Sequence, residues 1–324
     1  MAGPYNLRLE ALLVEEESVY ASDPTPTAAE GIRVVGRIWE ALSPEFVFPN
    51  KREDVVSNNL IKVAPGIPAG RIMNLDFRVQ VIGYGSAYSS VTPIRPDMDA
   101  LLMACGMGRT HVDTGAAESV SYALASSGHS SCTIWAYAGG DLLKIVGCRG
   151  NWVWDVAAGN LGEMRFQMQG MLSTAPAETA VIAATYDAVV PPAAKAMSLA
   201  IVPSGGGSWT PRSASFSVTP GNEIVRLDDV NSTDGIESFE IIRQVPRFTL
   251  NCRKPDLTDY TYYARALAQT LHTIDATLGS TQYNRLKLDI DAAYLTTDPA
   301  HTGENGFAGG TLEYELLDCI LKFD

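Results

Sequence analysis

Strict alternation of apolar and polar residues is the feature of this sequence that most constrains its fold. Between Met73 and Val81 every second residue is apolar, and the residues between them are polar. Successive side chains of an extended strand point to opposite faces of a sheet, so the pattern predicts a half-buried strand. Similar stretches occupy residues 7–11, 164–169, 248–253, 286–291 and 312–316. Sheets with one buried and one wetted face are typically antiparallel, and the sequence therefore predicts a mainly β fold.

Two short helices interrupt the strand pattern. One is predicted over Met98–Cys105, where Pro96 and Asp97 provide a start signal and Gly106 a stop signal. The other is predicted over residues 262–271, where apolar side chains recur at helical spacing. Strands and helices do not alternate regularly, which argues against a parallel α/β fold.

Three stretches rich in proline or glycine are predicted to be loops. Residues 43–70 contain four prolines and a cluster of charges, and so long a loop tends to be functional. Residues 203–208 read Pro-Ser-Gly-Gly-Gly-Ser and predict a flexible linker, and a third loop is predicted at 296–310. Together the loops predict a first domain over residues 1–200, which carries the long 43–70 arm, and a second domain over residues 201–324.

A weak internal repeat connects the two halves. Gly162–Met168 and Gly310–Leu316 share the pattern G-x-[ML]-x-[FY]-x-[ML], and in each half an alternating strand also precedes the helix. This order predicts the duplication of one β-rich unit. The alternative interpretation is that amphipathic strands resemble one another in general.

The charge balance and the scattered polar residues restrict the possible functions. The chain has 24 Lys and Arg against 37 Asp and Glu, a net charge of −13, which excludes a protein that grips nucleic-acid phosphates. The four histidines lack metal-ligand spacing, the five cysteines form no CxxC pair, and Gly205–Gly207 lacks the Lys-Ser/Thr of a phosphate loop. Neither a leader nor a membrane-spanning run is expected. We therefore predict no catalytic residue, no cofactor and no metal, and a structural or interaction protein.

Short motifs in a fixed order run along most of the chain. In chain order they are Ala11–Ser18 with Asp23–Pro26, Phe77–Gly83 with Pro96–Gly106, Cys132–Tyr137 with Gly147–Gly150 and Phe166–Gly170, and Asp234–Ile236 with Ile242–Pro246. This set resembles the tail tube (major tail) proteins of long-tailed, siphovirus-like bacteriophages. The matching features are an opening strand with a proline-containing loop, an "LLxACG" helix, a "GxRG" turn and a closing "F-x-x-x-G" strand.

The resemblance implies a fold and an assembly. It implies two tandem β-sandwich or barrel-like tube domains, each flanked by a short α-helix, whose sheets join those of neighbouring copies into an inner barrel. Stacked rings then form a tail tube for DNA ejection. Three chains would give a pseudo-sixfold ring, which we favour over a hexamer in which only the first half builds the barrel. Implied partners are other copies of the chain, tail terminator and tail-tip proteins, and a tape measure protein inside the tube; the implied location is the virion tail, after synthesis in the host cytoplasm.

Two sets of residues follow from this resemblance. The first would line a largely acidic lumen that lets DNA pass without specific binding, because carboxylates repel phosphates. Its candidates are Asp76, Gln80, Glu163, Gln167, Asp289, Asp291, Glu313 and Glu315, whose faces are shared by Arg78, Arg165 and Lys287. The second set would form an arm between rings, with Phe46, Phe48, Lys51, Arg52, Glu53 and Asp54 as candidates.

Two other classes of protein remain open at this point. An all-β adhesion or carbohydrate-binding module of a virion or cell surface is suggested by Trp135, Trp152, Trp154 and Trp209. A hydrolase with a scattered active site is suggested only by the surplus of Asp and Glu.

Overall fold

The computed structural model describes residues 10–48, 69–86, 95–112, 118–186, 189–195, 197–232, 235–257, 260–296, 300–304 and 307–324. The first half of this part of the chain contains β1 (Ala11–Glu16), β2 (Val34–Val35), β3 (Leu42–Phe48), β4 (Ala69–Gln80), β5 (Met107–Val112), β6 (Ser119–Leu124), β7 (Cys132–Ala138), β8 (Asp141–Ala157), β9 (Glu163–Leu172) and β10 (Ala177–Glu178). The second half contains β11 (Ser198–Pro203), β12 (Ser213–Thr219), β13 (Asn222–Asp228), β14 (Ile236–Gln244), β15 (Arg247–Arg253), β16 (Leu271–Leu278), β17 (Leu286–Leu295), β18 (Ala300–Glu304), β19 (Phe307–Leu316) and β20 (Ile320–Phe323). The α-helices are α1 (Ile38–Ala41), α2 (Asp99–Ala104) and α3 (Tyr262–Leu267). The predicted mainly β fold is confirmed.

One antiparallel sheet of eight strands runs through both halves of the chain. Its order is β3-β4-β9-β8-β12-β15-β19-β18, and we call it the spanning sheet. The halves meet where β8 pairs with β12, from Ala157 opposite Ser215 to Trp154 opposite Val218. A second row of paired strands also crosses the halves, in the order β11-β16-β17-β20-β6-β5, and we call it the second sheet. It is joined to the spanning sheet where Ala293–Leu295 of β17 pair with Tyr314–Leu316 of β19.

The two halves share most of their strand connectivity, although the β5–β6 hairpin follows α2, whereas α3 leads directly into β16. We call β1–β10 the first unit and β11–β20 the second unit. The first unit contributes β3-β4-β9-β8 to the spanning sheet and the second contributes β12-β15-β19-β18, so the corresponding strands follow in the same order. Helix α2 follows β4 as α3 follows β15, and β1 pairs with β7 as β11 pairs with β16. The repeated sequence pattern falls on β9 and β19, which occupy equivalent places.

This shared topology supports duplication of one unit. The two units nevertheless share both sheets and one continuous hydrophobic core, which contains Trp154 of the first unit and Phe248 of the second. A division into two tandem domains therefore remains a prediction.

Two of the predicted loops contain strands. Residues 43–48 and 69–70 belong to β3 and β4, which pair up to Phe48 opposite Ala69, so the predicted arm begins and ends as paired strands. Residues 300–304 and 307–310 likewise belong to the paired strands β18 and β19. Proline does not prevent the first pairing, because it is tolerated in strands at the edge of a sheet. Lys51, Arg52, Glu53 and Asp54 lie outside the described residues.

The glycine-rich stretch at 203–208 is a turn and not a linker. It folds the chain back so that the backbone groups of Ile201 and Trp209 hydrogen-bond to each other in both directions, at 2.8 Å. Strand β11 also pairs from Ser198 to Pro203 with β16. A boundary between residues 200 and 201 would cut this strand in two.

Two further local predictions differ from the structure. Helix α3 ends at Leu267, because Gln269 adopts a left-handed φ of +48° and Leu271 already pairs in β16. The "GxRG" segment is no turn but lies within β8, where Gly147 at φ +62° accompanies a bulge. A bulge inserts an extra residue without ending the strand, so a glycine there resembles a turn signal in the sequence.

The buried side of the spanning sheet is a continuous apolar row. In register across six strands lie Val79, Met164, Trp154, Val218, Phe248 and Tyr314, and all are buried. Aromatic contacts reinforce the junction, since the ring of Phe216 lies 5.5 Å from those of Trp154 and Phe248. The core therefore fixes which face of the sheet is left for solvent.

The hairpin β13–β14 packs against the first unit. The buried Arg149 guanidinium donates to the carbonyl oxygen of Phe239 at 2.6 Å and pairs with the Glu240 carboxylate. The Phe239 backbone N–H donates to the Tyr20 hydroxyl oxygen at 2.8 Å, and burial raises the pKa of Tyr20 to about 12. Phe239 also packs against Val146. The second unit thus holds the first through an extended hairpin as well as through the sheet junction.

Candidate functional site

The polar side of the spanning sheet carries an ordered array of polar and charged side chains. One row in register consists of Gln80, Glu163, Asp155, Ser217, Thr249 and Glu313, each from a different strand. Directly opposite residues of paired strands share a face of the sheet. These six side chains are all exposed or half-buried. We call the solvent side of this sheet the polar face.

Carboxylates and guanidiniums share the polar face, where Glu163 lies directly opposite Asp155 and Arg78 directly opposite Arg165. Six strands of this face, β4, β9, β8, β12, β15 and β19, carry five carboxylates and four guanidiniums. The carboxylates belong to Asp76, Asp155, Glu163, Glu313 and Glu315, and the guanidiniums to Arg78, Arg165, Arg247 and Arg253. Arg78 lies 3.6 Å from Glu163, and Arg247 lies opposite Glu315. The face of these six strands therefore has a small excess of negative charge.

The pair of Arg165 and Asp76 illustrates how the arginines are held. The Arg165 Nε donates to Asp76 Oδ1 at 2.7 Å, and a second nitrogen contacts the other carboxylate oxygen. This hydrogen bonding lowers the pKa of Asp76 and raises that of Arg165. Such a bidentate guanidinium is already satisfied by a carboxylate, so it has less to gain from a phosphate.

The structure brings together six of the eight predicted lumen candidates. Asp76, Gln80, Glu163, Gln167, Glu313 and Glu315 all lie on the polar face. Asp289 and Asp291 instead lie on β17 in the second sheet, where Asp289 is opposite Asp275 of β16 and Ile320 of β20. The alternation of residues 286–291 correctly predicts that Asp289 and Asp291 are exposed. Alternation does not indicate which strands β17 pairs with.

Several members of the polar face were not predicted from sequence, among them Asn151, Asp155, Ser217, Thr249, Arg247 and Arg253. The signal for two of them was present in Asn151-Trp152-Val153-Trp154-Asp155, where both tryptophans are fully buried and alternate with exposed or half-buried residues. A shallow cleft of about 490 Å³ lies beside Asp155, at the junction of the two units, and is lined also by Arg78, Ser217 and Asn251.

Asp289 belongs to a cluster of aspartates on the second sheet. Burial raises the pKa of Asp289, and the negative charges of Asp275, Asp291 and Asp318 raise it further. Because a raised pKa means that the folded state holds the proton more tightly than the unfolded chain, the ionised carboxylate destabilises the fold above that pKa. Below the ordinary value of 3.8 both states are protonated and the penalty disappears.

We expect Asp289→Asn to be more stable than the parent at neutral pH, by a few tenths of a kcal/mol because the site is largely exposed. The difference should fall towards zero as the pH drops below the ordinary aspartate value, which urea unfolding at several pH values measures. Asp275→Asn relieves part of the same repulsion, so the double variant should gain less than the sum of the single variants. A gain that is independent of pH would contradict this account.

A hydrogen-bonded cluster of titratable side chains, formed by Tyr260, His272 and Tyr314, is buried. The Tyr260 hydroxyl lies 2.8 Å from His272 Nε2 and 2.9 Å from the Tyr314 hydroxyl, and burial lowers the pKa of His272. His272, Tyr260 and Tyr314 are almost completely inaccessible to solvent, so this cluster cannot reach a substrate. Among the described residues, no group of three His, Cys, Asp or Glu side chains is arranged to hold a metal ion.

The tryptophans that suggested an adhesion module do not form an exposed platform. Trp135, Trp152 and Trp154 are buried, and Trp209 stacks on Tyr260 with ring centroids 4.3 Å apart. These side chains stabilise the core, as aromatic pairs in offset or tilted contact do.

A protein-family model described as "Phage tail tube protein" matches residues 10–313. The chain belongs to the phage tail tube protein family. The match begins just before β1 and ends within β19, so it covers the first unit, the second unit as far as β19, and the β8–β12 junction between them. No curated protein matched the sequence.

Membership of the family establishes the class of function. This tail tube protein is a structural component of the phage virion tail, and its family is not a known enzyme family. In the part of the chain that the structure covers, no helix is long and apolar enough to cross a membrane.

Proposed function

We propose that this tail tube protein forms rings in which the spanning sheets of neighbouring copies join edge to edge into one barrel around a channel. The observation that carries the proposal is the internal junction between β8 and β12. It joins two units that share most of their topology by antiparallel strand pairing. The N-terminal part of β8 corresponds to β17 and its C-terminal part to β18, and the strand that corresponds to β12 is β3.

The two outer edges of the spanning sheet therefore match the two sides of that internal junction. Within the described residues, β3 pairs only with β4 and β18 pairs only with β19. Exposed strand edges tend to pair with another chain, and a repeated head-to-tail contact closes into a ring when the rotation permits. Pairing of β18 with β3 of the next copy would repeat the β8–β12 junction between chains.

A ring built in this way would contain three chains. Each chain supplies two equivalent units, so three copies give six units with pseudo-sixfold symmetry. A hexamer of chains would double the number of units and require a much wider channel. We therefore favour the trimer.

The polar face is proposed to line the channel. Its carboxylates are in slight excess and three of its four arginines, Arg78, Arg165 and Arg247, lie beside carboxylates, so passing DNA would release few counterions and gain little affinity. We propose Asp76, Gln80, Glu163, Gln167, Glu313 and Glu315, together with Asp155, as lumen residues, and DNA would pass without specific binding during ejection. Asp289 and Asp291 lie on the second sheet and would face away from the channel.

Stacking of the rings would complete the tube. The arm candidates from Phe46 to Asp54 are proposed to contact the next ring, which leaves residues 55–68 of the same segment for contacts within the ring. Tail terminator and tail-tip proteins would bind the two ends of the tube, and a tape measure protein would fill it during assembly.

Electron microscopy of concentrated protein tests the proposal. We expect stacked rings with a central channel, and mass photometry of isolated rings should give three copies. Monomers that stay dispersed at high concentration, or a ring whose polar face points outward, would contradict the proposal.

A further inference from the structure

The two units carry inserts at the same place. Insert two, residues 220–246, separates β12 from β15, and insert one, residues 49–68, separates β3 from β4. Both inserts have the same boundaries in sequence. Pro49 and Pro220 directly follow the first strand, and Pro68 and Pro246 directly precede the second, each after a β-branched residue.

Insert two is seated on the end of α2 in the preceding unit. The Asn222 amide donates to the carbonyl oxygens of Cys105 at 2.6 Å and Gly150 at 2.9 Å. The Gln244 amide donates to the carbonyl oxygen of Gly106 at 3.1 Å. A Cβ at Gly106 would lie 2.6 Å from the Gln244 amide nitrogen, so the two elements are in close contact.

Helix α3 ends as α2 does, but its end is exposed. Two positions after each helix the backbone is left-handed, at Gly106 with φ +77° and at Gln269 with φ +48°. Ala104 and Cys105, at the end of α2, are fully buried. At the end of α3, Leu267 is 88% exposed, and Ala268 and Gln269 are exposed too.

The ring places insert one of the next copy at this exposed end. Insert two follows β12, which pairs with β8, and it crosses onto the unit that contains β8. In the ring, β3 of the next copy would pair with β18, so its insert would cross onto the unit that contains α3. We infer that the C-terminal end of α3, formed by Leu267, Ala268 and Gln269, is the seat for residues 55–68 of the adjacent copy in the same ring.

This inference rests on the proposed edge-to-edge ring and adds a second contact to it. The segment has apolar side chains that could pack against the exposed Leu267, since residues 55–68 include Val55, Val56, Leu60, Ile61 and Val63. Burial of such side chains against Leu267 would stabilise the ring beyond what the strand edges provide.

Photo-cross-linking tests the inference. A benzophenone amino acid replaces Leu267 in isotopically labelled protein, which is mixed with unlabelled protein, and single rings are separated from stacked tubes before irradiation. We expect cross-links from position 267 to residues 55–68 of another copy in single rings. The yield should be at least about ten times that from Leu317, a second exposed leucine of the same unit, because a fixed contact raises the effective concentration to the millimolar range.

The possible outcomes distinguish failure of the contact at α3 from failure of the proposed ring. Rings that form without this cross-link overturn the inference and leave the proposed ring intact. Cross-links found only in stacked tubes overturn it in favour of a contact between rings. Parent protein that forms no rings overturns both proposals, and the same probe at Ala268 provides the measurement if the probe at position 267 prevents assembly.

Discussion

His301→Pro is expected to leave each chain folded but to abolish ring formation at concentrations where the parent assembles. The Lys254 N–H donates to the Ala308 carbonyl oxygen, so the backbone polar groups of Ala308 point towards β15. Those of Gly309 then point towards Thr302 of β18, with which Gly309 is in register. Since adjacent residues of a strand direct these groups to opposite edges, the N–H of His301 points away from β19.

Proline at position 301 therefore removes a donor that faces the next copy while it preserves the pairing of β18 with β19. The lost hydrogen bond and the bulk of the pyrrolidine side chain together cost about 1–3 kcal/mol at each junction between copies. The protein concentration needed for assembly should therefore rise at least about tenfold. Sedimentation velocity measures rings against single chains, and circular dichroism with thermal unfolding reports whether the chain is folded.

His301→Ala is the matched control for this variant. It changes the same side chain but keeps the N–H, and we expect it to assemble like the parent. Rings of His301→Pro at the parental concentration would show that β18 is not the joining edge. Failure of both variants would point to the histidine side chain and not to strand pairing.

The sequence predicts local faces better than it predicts which strands meet. Met73–Val81 alternates and forms β4 as expected, because a one-residue shift in register would expose its whole apolar face. Residues 286–291 alternate equally well, yet Asp289 lies on the second sheet and Glu313 on the spanning sheet. Only long-range pairing distinguishes these two carboxylates, and alternation contains no information about it.

Special backbone geometry accounts for the local errors. Gly147 resembles a turn in the sequence but sits at a bulge inside β8. The apolar spacing of residues 262–271 continues past the true end of α3, because tertiary pairing draws Leu271 into β16. The repeated pattern on β9 and β19 predicts duplication, which stays a prediction. The site of joining between units, at β8 and β12, required the structure.

Reversal of charge on the polar face should turn a non-binding channel into one that retains DNA. The triple variant Asp155→Lys, Glu313→Lys and Glu315→Lys changes three exposed carboxylates on two strands of the spanning sheet. All three side chains project from strands into solvent, and the apolar row behind them is unchanged, so the fold and the rings should persist. Repeated around a ring of three, the new lysines would line the channel with closely spaced positive charge.

We expect assembled rings of this variant to bind short duplex DNA, whereas parent rings do not. If about six phosphates are neutralised, the affinity should fall by about 10³-fold between roughly 50 and 200 mM salt, because each contact releases counterions.

The matched control places lysine at Asp275, Asp289 and Asp291, which adds the same charge to the second sheet. Fluorescence anisotropy of labelled DNA with each set of rings, followed by electron microscopy, locates the bound duplex. DNA held in the channel by the first variant alone identifies the polar face as the lumen. DNA held in the channel by the control alone would mean that the second sheet faces inward and that the assignment of the two faces is wrong.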